Sequence, residues 1–534
     1  MKRSKMVGKF LLVGLFCAIM AAPAHSGATE LAKKQNLKLG LPVRDIRTLD
    51  PAHSTLTGEK SIVGEIFNGL LRTPYGKVSI EAIEGDLAEK WEVSPDGLVW
   101  TFQLRKGVKW HKGYGEVTSE DVKFTFERVK DPSIASPWAK KYADLDKVEI
   151  IDPHNFKIHL KKADPFFVLN LIPFHGGQIV CKKAVEKMGK EYAFEPIGSG
   201  PFMYEAYDKG QSVFLVRNPD YFRGAPILES VEYLFMPNHS SRLLAIDKGE
   251  VDVSRGTRKK EWADSAIAKG IKLAAPNPPQ QQILVMNMTR KPLDDIRVRK
   301  AIAYALDRST FVDLLGPVLG GPQISPVPPG YFGHTELGME PYAFSPERAK
   351  ALLAESGFEN GVDLGDQFCS ESDSYLRPFK MVQEQLRQAG IKFNIKVVDH
   401  STYHKMIRQD KNALVIYGGV RLPIAETILS QFYAKSSIVG TKTAVTNFSH
   451  YGEVIPGIDE YLEKARATNN LELKKYYYNQ AQYQIIQDLP AYPLYLNRAA
   501  LCYQKWVDFG YDAEHYETLY YTIEISEKTR LLKH

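Results

Sequence analysis

Residues 84–132 constrain the fold of this chain more than any other stretch. Within them, residues 94–97 read Ser-Pro-Asp-Gly, a tight turn in which proline fixes φ and glycine accepts a positive φ. Polar and apolar side chains then alternate over residues 99–105, which predicts a half-buried strand. Capping residues and first-turn acids at residues 118–121 predict the start of a helix. The stretch therefore predicts strand, turn, strand, turn and helix, without a pattern typical of catalysis.

The same stretch carries a family signature. It resembles, almost position by position, the signature of family 5 extracytoplasmic solute-binding proteins, the peptide- and nickel-binding class of ABC importers. One position departs, because the family usually has a Gly-x-Pro turn after the histidine and residues 113–115 lack the proline. The matching residues are Leu87, Ala88, Trp91, Ser94, Asp96, Gly97, Phe102, Leu104, Arg105, Gly107, Val108, Lys109, His111, Gly113, Glu120, Asp121 and Val122.

Further motifs extend the resemblance over most of the chain. Residues 198–202 read Gly-Ser-Gly-Pro-Phe and match the family's GTGPF-type turn, and residues 218–221 match its Asn-Pro-Asp-Tyr element. Residues 242–253 and 287–308 match two later elements of the family pattern. The resemblance thus covers the chain from residue 37 to about residue 496.

The resemblance implies an α/β architecture, the two-lobed periplasmic binding protein fold of type II. It also implies the large cluster of that type, with an extra subdomain in lobe I and a ligand cleft between the lobes. We expect lobe I at residues 27–274, with the extra subdomain at about residues 76–190. Lobe II is expected at residues 275–490, and residues 491–534 should return to lobe I. Three prolines directly after residue 275 support this boundary, since they interrupt regular structure.

Helical periodicity places four helices. Apolar residues at helical spacing predict a helix from about Gly58 to Leu71, with Thr57 as its cap. The Ser-Pro pair at residues 345–346 has the residue types of a cap and a first helical position. Two further helices are predicted at residues 381–389 and 476–487.

The chain begins with a basic segment and an apolar run that ends near Ala24 and is short for a membrane span. Small residues there fit cleavage after Ala24 or after Ser26, which predicts a secretory signal at residues 1–24. An uncleaved anchor is the alternative. A bulky phenylalanine precedes Cys17, where a lipid-anchor motif needs a small residue. We therefore expect a soluble periplasmic protein of a Gram-negative bacterium.

Charge and cysteine content exclude several function classes. The formal net charge is +6, and four of these charges belong to the expected signal, which leaves about +2. The sequence has no basic stripe that would indicate nucleic-acid binding. It also has no cationic amphipathic helix that would indicate binding to a membrane surface. Of Cys181, Cys369 and Cys502, at most one pair could form a disulfide, and the sequence does not identify which.

Family likeness implies a mechanism without catalysis. A ligand contacts both lobes only when they close, so binding shifts the equilibrium between open and closed forms. The closed form then docks onto the transmembrane subunits of an ABC permease. We therefore expect a monomer that needs no cofactor and is not an enzyme.

The resemblance also implies which peptide contacts this chain lacks. Dipeptide binders of the family hold the peptide ammonium with an Asp in a lobe II loop. The corresponding residues 416–426 contain no Asp and carry Arg421 instead. Those binders hold the peptide carboxylate with an Arg whose place falls here near Cys369 and Ser370, and Arg377 could substitute only if the loop shifts. An unpaired buried ammonium would cost several kcal/mol, so ordinary dipeptides should be rejected.

Three residues of the lobe II loop are candidates for the ligand site. Arg421 would bind a carboxylate or a phosphate bidentately, and Gly419 lies beside this arginine in the loop. Tyr417 would stack on the ligand. The alternatives are an Arg421 that is solvated or paired with Glu426, and a Tyr417 that belongs to the core.

A second group of candidates includes residues of both lobes. In lobe I, His53, Ser54 and Thr55 lie just before a predicted helix, whose free backbone N–H groups suit a polar ligand. Ordinary capping is the alternative for these three. In lobe II, Ser370 and Arg377 are candidates because they lie near the place of the carboxylate-binding Arg.

Metal and nucleophile patterns are weak. His400 and His404 have a spacing that can bind a transition metal on a helix, but no third ligand accompanies them. Residues 198–200 precede a proline and not a helix, unlike a nucleophile elbow. No phosphate-binding loop or dinucleotide fingerprint is present. The sequence therefore predicts no metal and no cofactor.

Together these observations predict a periplasmic receptor that captures a small polar or anionic organic solute and delivers it to a permease. Opine-like compounds, sugar phosphates and modified peptides fit this description. An oligopeptide or dipeptide receptor is the first alternative, because a peptide held by backbone hydrogen bonds needs neither Arg nor Asp. A nickel or metallophore receptor is a further one. In other classes, a periplasmic hydrolase would need a nucleophile–base pair, and a folding helper would bind unfolded chains without cleft closure.

Overall fold

The expected signal and its cleavage site lie outside the residues that the structure describes. No helix in the described part of the chain is long and apolar enough to cross a membrane. Cys181, Cys369 and Cys502 are free, buried thiols, so no two of them form a disulfide. The computed structural model describes residues 30–277, 279–338, 342–419, 421–440, 446–518 and 523–533.

Strands and α-helices alternate along the described chain. The strands are β1 (Asn36–Leu41), β2 (Leu71–Arg72), β3 (Glu84–Gly85), β4 (Ala88–Val93), β5 (Val99–Leu104), β6 (Leu145–Asp152), β7 (Asn155–Leu160), β8 (Phe202–Asp208), β9 (Ser212–Arg217), β10 (Ser230–Phe235), β11 (Val253–Arg255), β12 (Lys272–Ala274), β13 (Gln280–Met286), β14 (Gly320–Gly321), β15 (Val362–Ser370), β16 (Ile391–Val398), β17 (Leu414–Gly419), β18 (Ala491–Asn497), β19 (Leu501–Tyr503), β20 (Val507–Asp508) and β21 (Arg530–Leu531). The α-helices are α1 (Thr57–Ile66), α2 (Ser119–Lys130), α3 (Lys182–Met188), α4 (His239–Asp247), α5 (Lys260–Ala268), α6 (Ile296–Tyr304), α7 (Ser309–Leu319), α8 (Pro346–Glu355), α9 (Asp373–Gln388), α10 (His400–Arg408), α11 (Ala425–Phe432), α12 (Ile458–Ala467) and α13 (Leu471–Asp488).

Lobe I is built on a seven-stranded mixed sheet with the order β12-β19-β11-β1-β10-β9-β8. β1 lies between β10 and β11 and is parallel to both, so the carboxyl ends of these three strands meet at one edge of the sheet. Leu37, Leu39 and Leu41 are buried and fall on one face of β1.

The extra subdomain contains an antiparallel sheet with the order β4-β5-β7-β6. Trp100 and Phe102 of β5 are buried, and Phe102 stacks on Phe156 of β7 with ring centroids 5.3 Å apart. α2 follows with a capping box made by Thr118 and Asp121. The strand, turn, strand and helix predicted for residues 84–132 are confirmed.

Lobe II has its own core. Its main sheet has the order β14-β18-β13-β17, and β15 pairs in parallel with β16 as a separate two-stranded sheet. Apolar residues of these strands and of their helices form a cluster distinct from that of lobe I. α8 begins at Pro346, and the Ser345 hydroxyl accepts the backbone N–H of Arg348, as predicted for a cap. Sheets and helices mix in both lobes, which confirms the α/β class.

The first helix is shorter than predicted. α1 ends at Ile66, five residues before the predicted end. The backbone N–H of Gly200 donates to the Ile66 carbonyl at 2.8 Å, and a Cβ added to Gly198 would lie 1.9 Å from the same carbonyl. The packing of this turn on the helix end leaves no room for another helical residue. The cap is Leu56 rather than Thr57, so that prediction is wrong.

Two lobe II helices begin earlier than predicted. α9 starts at Asp373, eight residues before the predicted start, and contains Pro378. Proline removes one helical hydrogen bond, but the helix continues through it. α13 starts at Leu471, five residues early, because the Asn470 side chain accepts the backbone N–H of Leu473 and caps the helix.

The described chain passes from lobe I to lobe II between β12 and β13, and it returns between β18 and β19. β18 pairs with β13 and β14, so it is a lobe II strand. The return to lobe I therefore follows Asn497 and not residue 490, where the sequence placed it. β12 pairs with β19 and β13 pairs with β18, both antiparallel. The two crossings therefore run side by side as one ribbon, residues 272–286 and 491–503, which we call the hinge ribbon.

Candidate ligand-binding cleft

The lobe I side of the cleft contains a cavity of about 520 Å³. It lies where the carboxyl ends of β1 and β11 meet the N-terminus of α1, the edge at which open α/β sheets bind ligands. Leu501 of the hinge ribbon also lines it, so the cavity lies next to the hinge. Most of its lining is apolar, and Arg255, the last residue of β11, contributes a basic group.

The candidates of residues 53–55 lie just before α1 and take part in capping contacts. The Glu59 carboxylate accepts the backbone N–H groups of Thr55 and Leu56, both at 3.0 Å. The His53 ring lies 3.2 Å from the Asp50 carboxylate, and this hydrogen bond raises the pKa of His53. Ser54 is buried. None of the three lines the 520 Å³ cavity: Glu59 holds the Thr55 N–H, whereas His53 contacts Asp50 and the Ile134 carbonyl.

Tyr417 lies in an aromatic cluster of the lobe II core. Its ring centroid is 5.7 Å from that of Phe432, 5.3 Å from that of Phe448 and 5.9 Å from that of His404. The residue is buried. These contacts favour the core alternative over ligand stacking.

Arg421 follows β17 and lies along α11. Its Nε donates a hydrogen bond to Gln431, and its guanidinium carbon is 5.3 Å from the Phe432 ring centroid. A Cβ added to Gly419 would lie 2.8 Å from the Arg421 guanidinium, so this glycine leaves the space that the arginine occupies. The hydroxyl of Tyr331 contacts the Arg421 backbone through hydrogen bonds of 3.2 Å. Among the residues that the structure describes, one amide and one aromatic ring contact the side chain, which is half-buried.

Glu426 is not the partner of Arg421. Its carboxylate forms an ion pair with Arg466 of α12, with Oε1 and Nη2 2.5 Å apart. The alternative in which Arg421 is neutralised by Glu426 is therefore wrong.

Ser370 and Arg377 occupy different environments. Ser370 ends β15, is fully buried, and its Oγ lies 3.0 Å from His400 Nδ1. Arg377 is exposed on α9. α9 already begins at Asp373, so the segment that carries Arg377 is helical. It is not a loop that could shift Arg377 towards the place of the carboxylate-binding residue.

His400 and His404 lie on α10, and their Nε2 atoms are 3.2 Å apart. Burial, together with the neighbouring His400 and Arg408, lowers the pKa of His404 to about 4. The described residues contain no group of three or more side chains able to hold a metal ion. The two rings contact each other and Tyr375.

Sequence reasoning missed Arg255 and Arg258, which lie at the end of β11 and just after it. Burial raises the pKa of Tyr375 to about 12, and the positive charge of Arg258 opposes this shift. The charge of Arg258 has the same effect on the pKa of Tyr495. The sequence signal that could have identified them is a pair of arginines after a strand whose carboxyl end faces the cleft.

The lobes also contact each other through the extra subdomain. The ring of Phe166 packs edge-on against Phe332 of lobe II, with centroids 5.7 Å apart. Lys475 of α13 forms an ion pair of 2.8 Å with Glu81. The described conformation therefore joins the lobes at the hinge ribbon and at the extra subdomain.

Comparisons with known proteins agree with this architecture. The family described as bacterial extracellular solute-binding proteins, family 5 Middle, matches residues 82–439. Glutathione-binding protein GsiB of Escherichia coli O1:K1 / APEC is 26% identical over 516 residues, which covers 94% of this chain and 97% of GsiB.

Two solved structures are similar over nearly the whole chain. MoaA of A. tumefaciens R10, in complex with mannopinic acid, is 33% identical, covers 94% of this chain and 100% of its own, and has a TM-score of 0.73. AgaA of the same strain, in complex with agropinic acid, is 25% identical, with 93% and 99% coverage and a TM-score of 0.69. These matches confirm the two-lobed binding-protein fold.

Proposed function

Because the chain belongs to family 5 of the bacterial extracellular solute-binding proteins, the receptors of ABC importers, we propose that it captures a small organic acid of the opine type. The observation that carries the proposal is the presence of basic side chains on both sides of the cleft. Arg255 lines the lobe I cavity, and Arg421 lies in the lobe II loop. Guanidinium groups bind carboxylates bidentately, which suits an acidic solute enclosed between two lobes.

Similar proteins support this choice. The solved structure that is 33% identical holds mannopinic acid, and a second holds agropinic acid, both acids by name. The lobe II loop at residues 416–426 contains no Asp to hold a peptide ammonium. An ordinary dipeptide would leave that charge unpaired, at a cost of a few kcal/mol.

Hinge closure would provide the mechanism. The hinge ribbon connects the lobes by two paired strands, so closure brings the loop after β17 towards the cavity beside β1. A solute that contacts Arg255 and Arg421 together stabilises the closed form by its differential affinity for that form. We further propose that the receptor is a periplasmic monomer that delivers its solute to an ABC permease. Cell fractionation and size-exclusion chromatography of the mature chain would test the location and the monomer.

Thermal unfolding with a panel of solutes tests the proposed ligand class. The panel contains mannopinic acid, agropinic acid, glutathione, ordinary dipeptides, oligopeptides, sugar phosphates and nickel complexes. A ligand at about 100 times its Kd adds roughly 2.7 kcal/mol to the free energy of unfolding. We expect stabilisation by an opine acid and none by ordinary dipeptides. Stabilisation by dipeptides alone would refute the acid proposal. Glutathione is the second candidate, because the relative GsiB binds it by name.

Arg421→Ala should weaken binding of the identified acid by about 1.5–3 kcal/mol, because it removes a charged hydrogen-bond donor from the ligand. Isothermal titration calorimetry measures the change. Arg387→Ala is the control, since Arg387 is exposed and pairs with Glu384 on the far part of α9. Equal affinities of wild type and Arg421→Ala would remove Arg421 from the site.

Removal of metal ions should leave the affinity for the acid unchanged. His400 and His404 have no third metal-binding partner among the described residues, and their rings contact each other directly. The measurement is titration of the acid before and after dialysis against a chelator. A clear loss of affinity that nickel restores would instead support a metallophore receptor.

A further inference from the structure

Two lysines of lobe I share an aromatic pocket. The Nζ atom of Lys60, on α1, lies 5.2 Å from the Phe174 ring centroid and 4.9 Å from that of Trp138. The Nζ atom of Lys141 lies 5.7 Å from the same Phe174 ring. No carboxylate lies within ion-pair distance of either ammonium group among the described residues.

Holding the two ammonium groups in this aromatic pocket costs free energy. The Lys141 Nζ is buried and makes no hydrogen bond to any described residue. Lys60 donates instead to the neutral ring of His175, with Nζ and Nε2 2.9 Å apart. Burial lowers the pKa of both lysines to about 8 and that of His175 to about 2, and the two lysines also repel each other. An anion placed between the ammonium groups would offset this desolvation and repulsion.

The pocket adjoins the ligand cleft. Lys60 and Phe174 line a cavity of about 80 Å³, which shares Ser61 and Ile523 with the 520 Å³ cavity beside β1. Glu65, Arg72, Asp86 and Glu524 also line the smaller cavity, whereas Lys141 and Trp138 do not. Burial raises the pKa of the Glu65 and Glu524 carboxyls, to about 7 for Glu524. Lys60 and Arg72 are the basic residues of this lining.

We propose that Lys60 and Lys141 form an oxyanion subsite of lobe I that receives a carboxylate of the captured solute. The inference rests on the proposed function and deepens it. If Arg421 binds one acidic group from lobe II, the lysine pair binds another from lobe I. The solute class is then an organic acid with two anionic groups. The Trp138 and Phe174 rings would flank its carbon skeleton.

Calorimetric titration of the full mature chain with mannopinic acid, and with the other acids of the panel, tests the subsite. Lys60→Met and Lys141→Met should each weaken binding at least tenfold, because each removes one charged donor. Lys140→Met is the matched control: Lys140 is the exposed neighbour of Lys141, and its variant should stay within twofold of wild type. Wild-type affinity in both lysine variants, with a loss only in Arg421→Ala, would overturn the subsite and leave the proposed function intact.

A second measurement separates binding from structure. Without ligand, Lys141→Met should unfold at a temperature at least about 1 °C above wild type, because it removes a buried charge that has no partner. If Lys141 only stabilised the fold, Lys141→Met would unfold at a lower temperature than wild type. That result would overturn the subsite. If the wild-type chain binds none of the acids, the proposed ligand class fails, and the subsite for their carboxylate fails with it.

Discussion

Replacing Arg128 with methionine should lower the free energy of unfolding of lobe I by about 3–5 kcal/mol, because it leaves a buried carboxylate without its counter-charge. Arg128 of α2 donates two hydrogen bonds to Asp50, from Nη1 at 2.9 Å and from Nη2 at 2.5 Å. Asp50 is 4% exposed and Arg128 retains 12% of its side-chain exposure. The pair joins the segment before α1 to the extra subdomain. Urea unfolding followed by tryptophan fluorescence measures the loss, since all six tryptophans lie outside residues 275–490.

The control is Lys123→Met on the same helix. Lys123 and Glu127 form a solvent-exposed pair at 3.9 Å, which contributes less than about 1 kcal/mol. The two variants therefore remove equal charge from one helix with very different expected losses. Similar losses for both would show that the Asp50–Arg128 pair does not hold lobe I together.

The same pair sets a pH dependence with a definite sign. The hydrogen bonds from Arg128 and His53 hold the pKa of Asp50 below its ordinary value against the opposing effect of burial. The stabilisation that ionised Asp50 gives the fold is therefore present above the ordinary pKa of aspartate. It is lost as the pH falls through the lower pKa that Asp50 has in the folded chain. In Arg128→Met the folded pKa of Asp50 should rise, so the loss on acidification should be smaller and should end at a higher pH than in wild type, and unfolding curves between pH 2 and pH 6 would show it.

Gly198→Ala should destabilise lobe I by about 3 kcal/mol or more, because overpacking against backbone cannot be relieved by a side-chain movement. A Cβ at this position would lie 1.9 Å from the Ile66 carbonyl oxygen and 2.7 Å from its carbon. The turn at residues 198–200 must then move away from α1. It would also strain the hydrogen bond from the His111 backbone N–H to the Gly198 carbonyl, now 2.8 Å.

Gly64→Ala on α1 is the matched control. A Cβ at Gly64 meets no atom within 4 Å, and the residue lies inside the helix. Alanine there should stabilise the chain by about 0.5–1 kcal/mol, since glycine is a poor helix former. Both variants add one methyl group to the same part of lobe I, and thermal unfolding compares them. A Gly198→Ala chain as stable as wild type would show that the turn relaxes without cost.

The sequence allowed prediction of those features that local patterns specify. The alternation around Trp100, the turn at residues 94–97 and the Ser345 cap each depend on neighbouring residues only, and the structure confirms them. The lobe architecture could be predicted because a motif-rich stretch resembles a family. The end of α1 could not, since it depends on the Gly200 N–H, which arrives from a turn more than a hundred residues later.

The site was harder to predict than the fold. The composition of the lobe II loop identified Arg421, but not that Gln431 and Phe432 position its side chain. The aromatic neighbours that bury Tyr417 come from α11 and from residue 448, so only the tertiary structure shows them. Lys60 and Lys141 looked like ordinary surface lysines, because nothing local indicates that both reach the Phe174 ring.

The strand order of lobe I has a consequence for the order in which the newly made chain can fold. β19 lies between β11 and β12 in the seven-stranded sheet, but it is synthesised only after the whole of lobe II. Lobe II has all its strands once Asn497 has been made, whereas the earlier lobe still lacks an internal strand. Until residues 501–503 arrive, β11 and β12 each expose an unpaired edge. The half of the protein that is made first is therefore the half that is completed last.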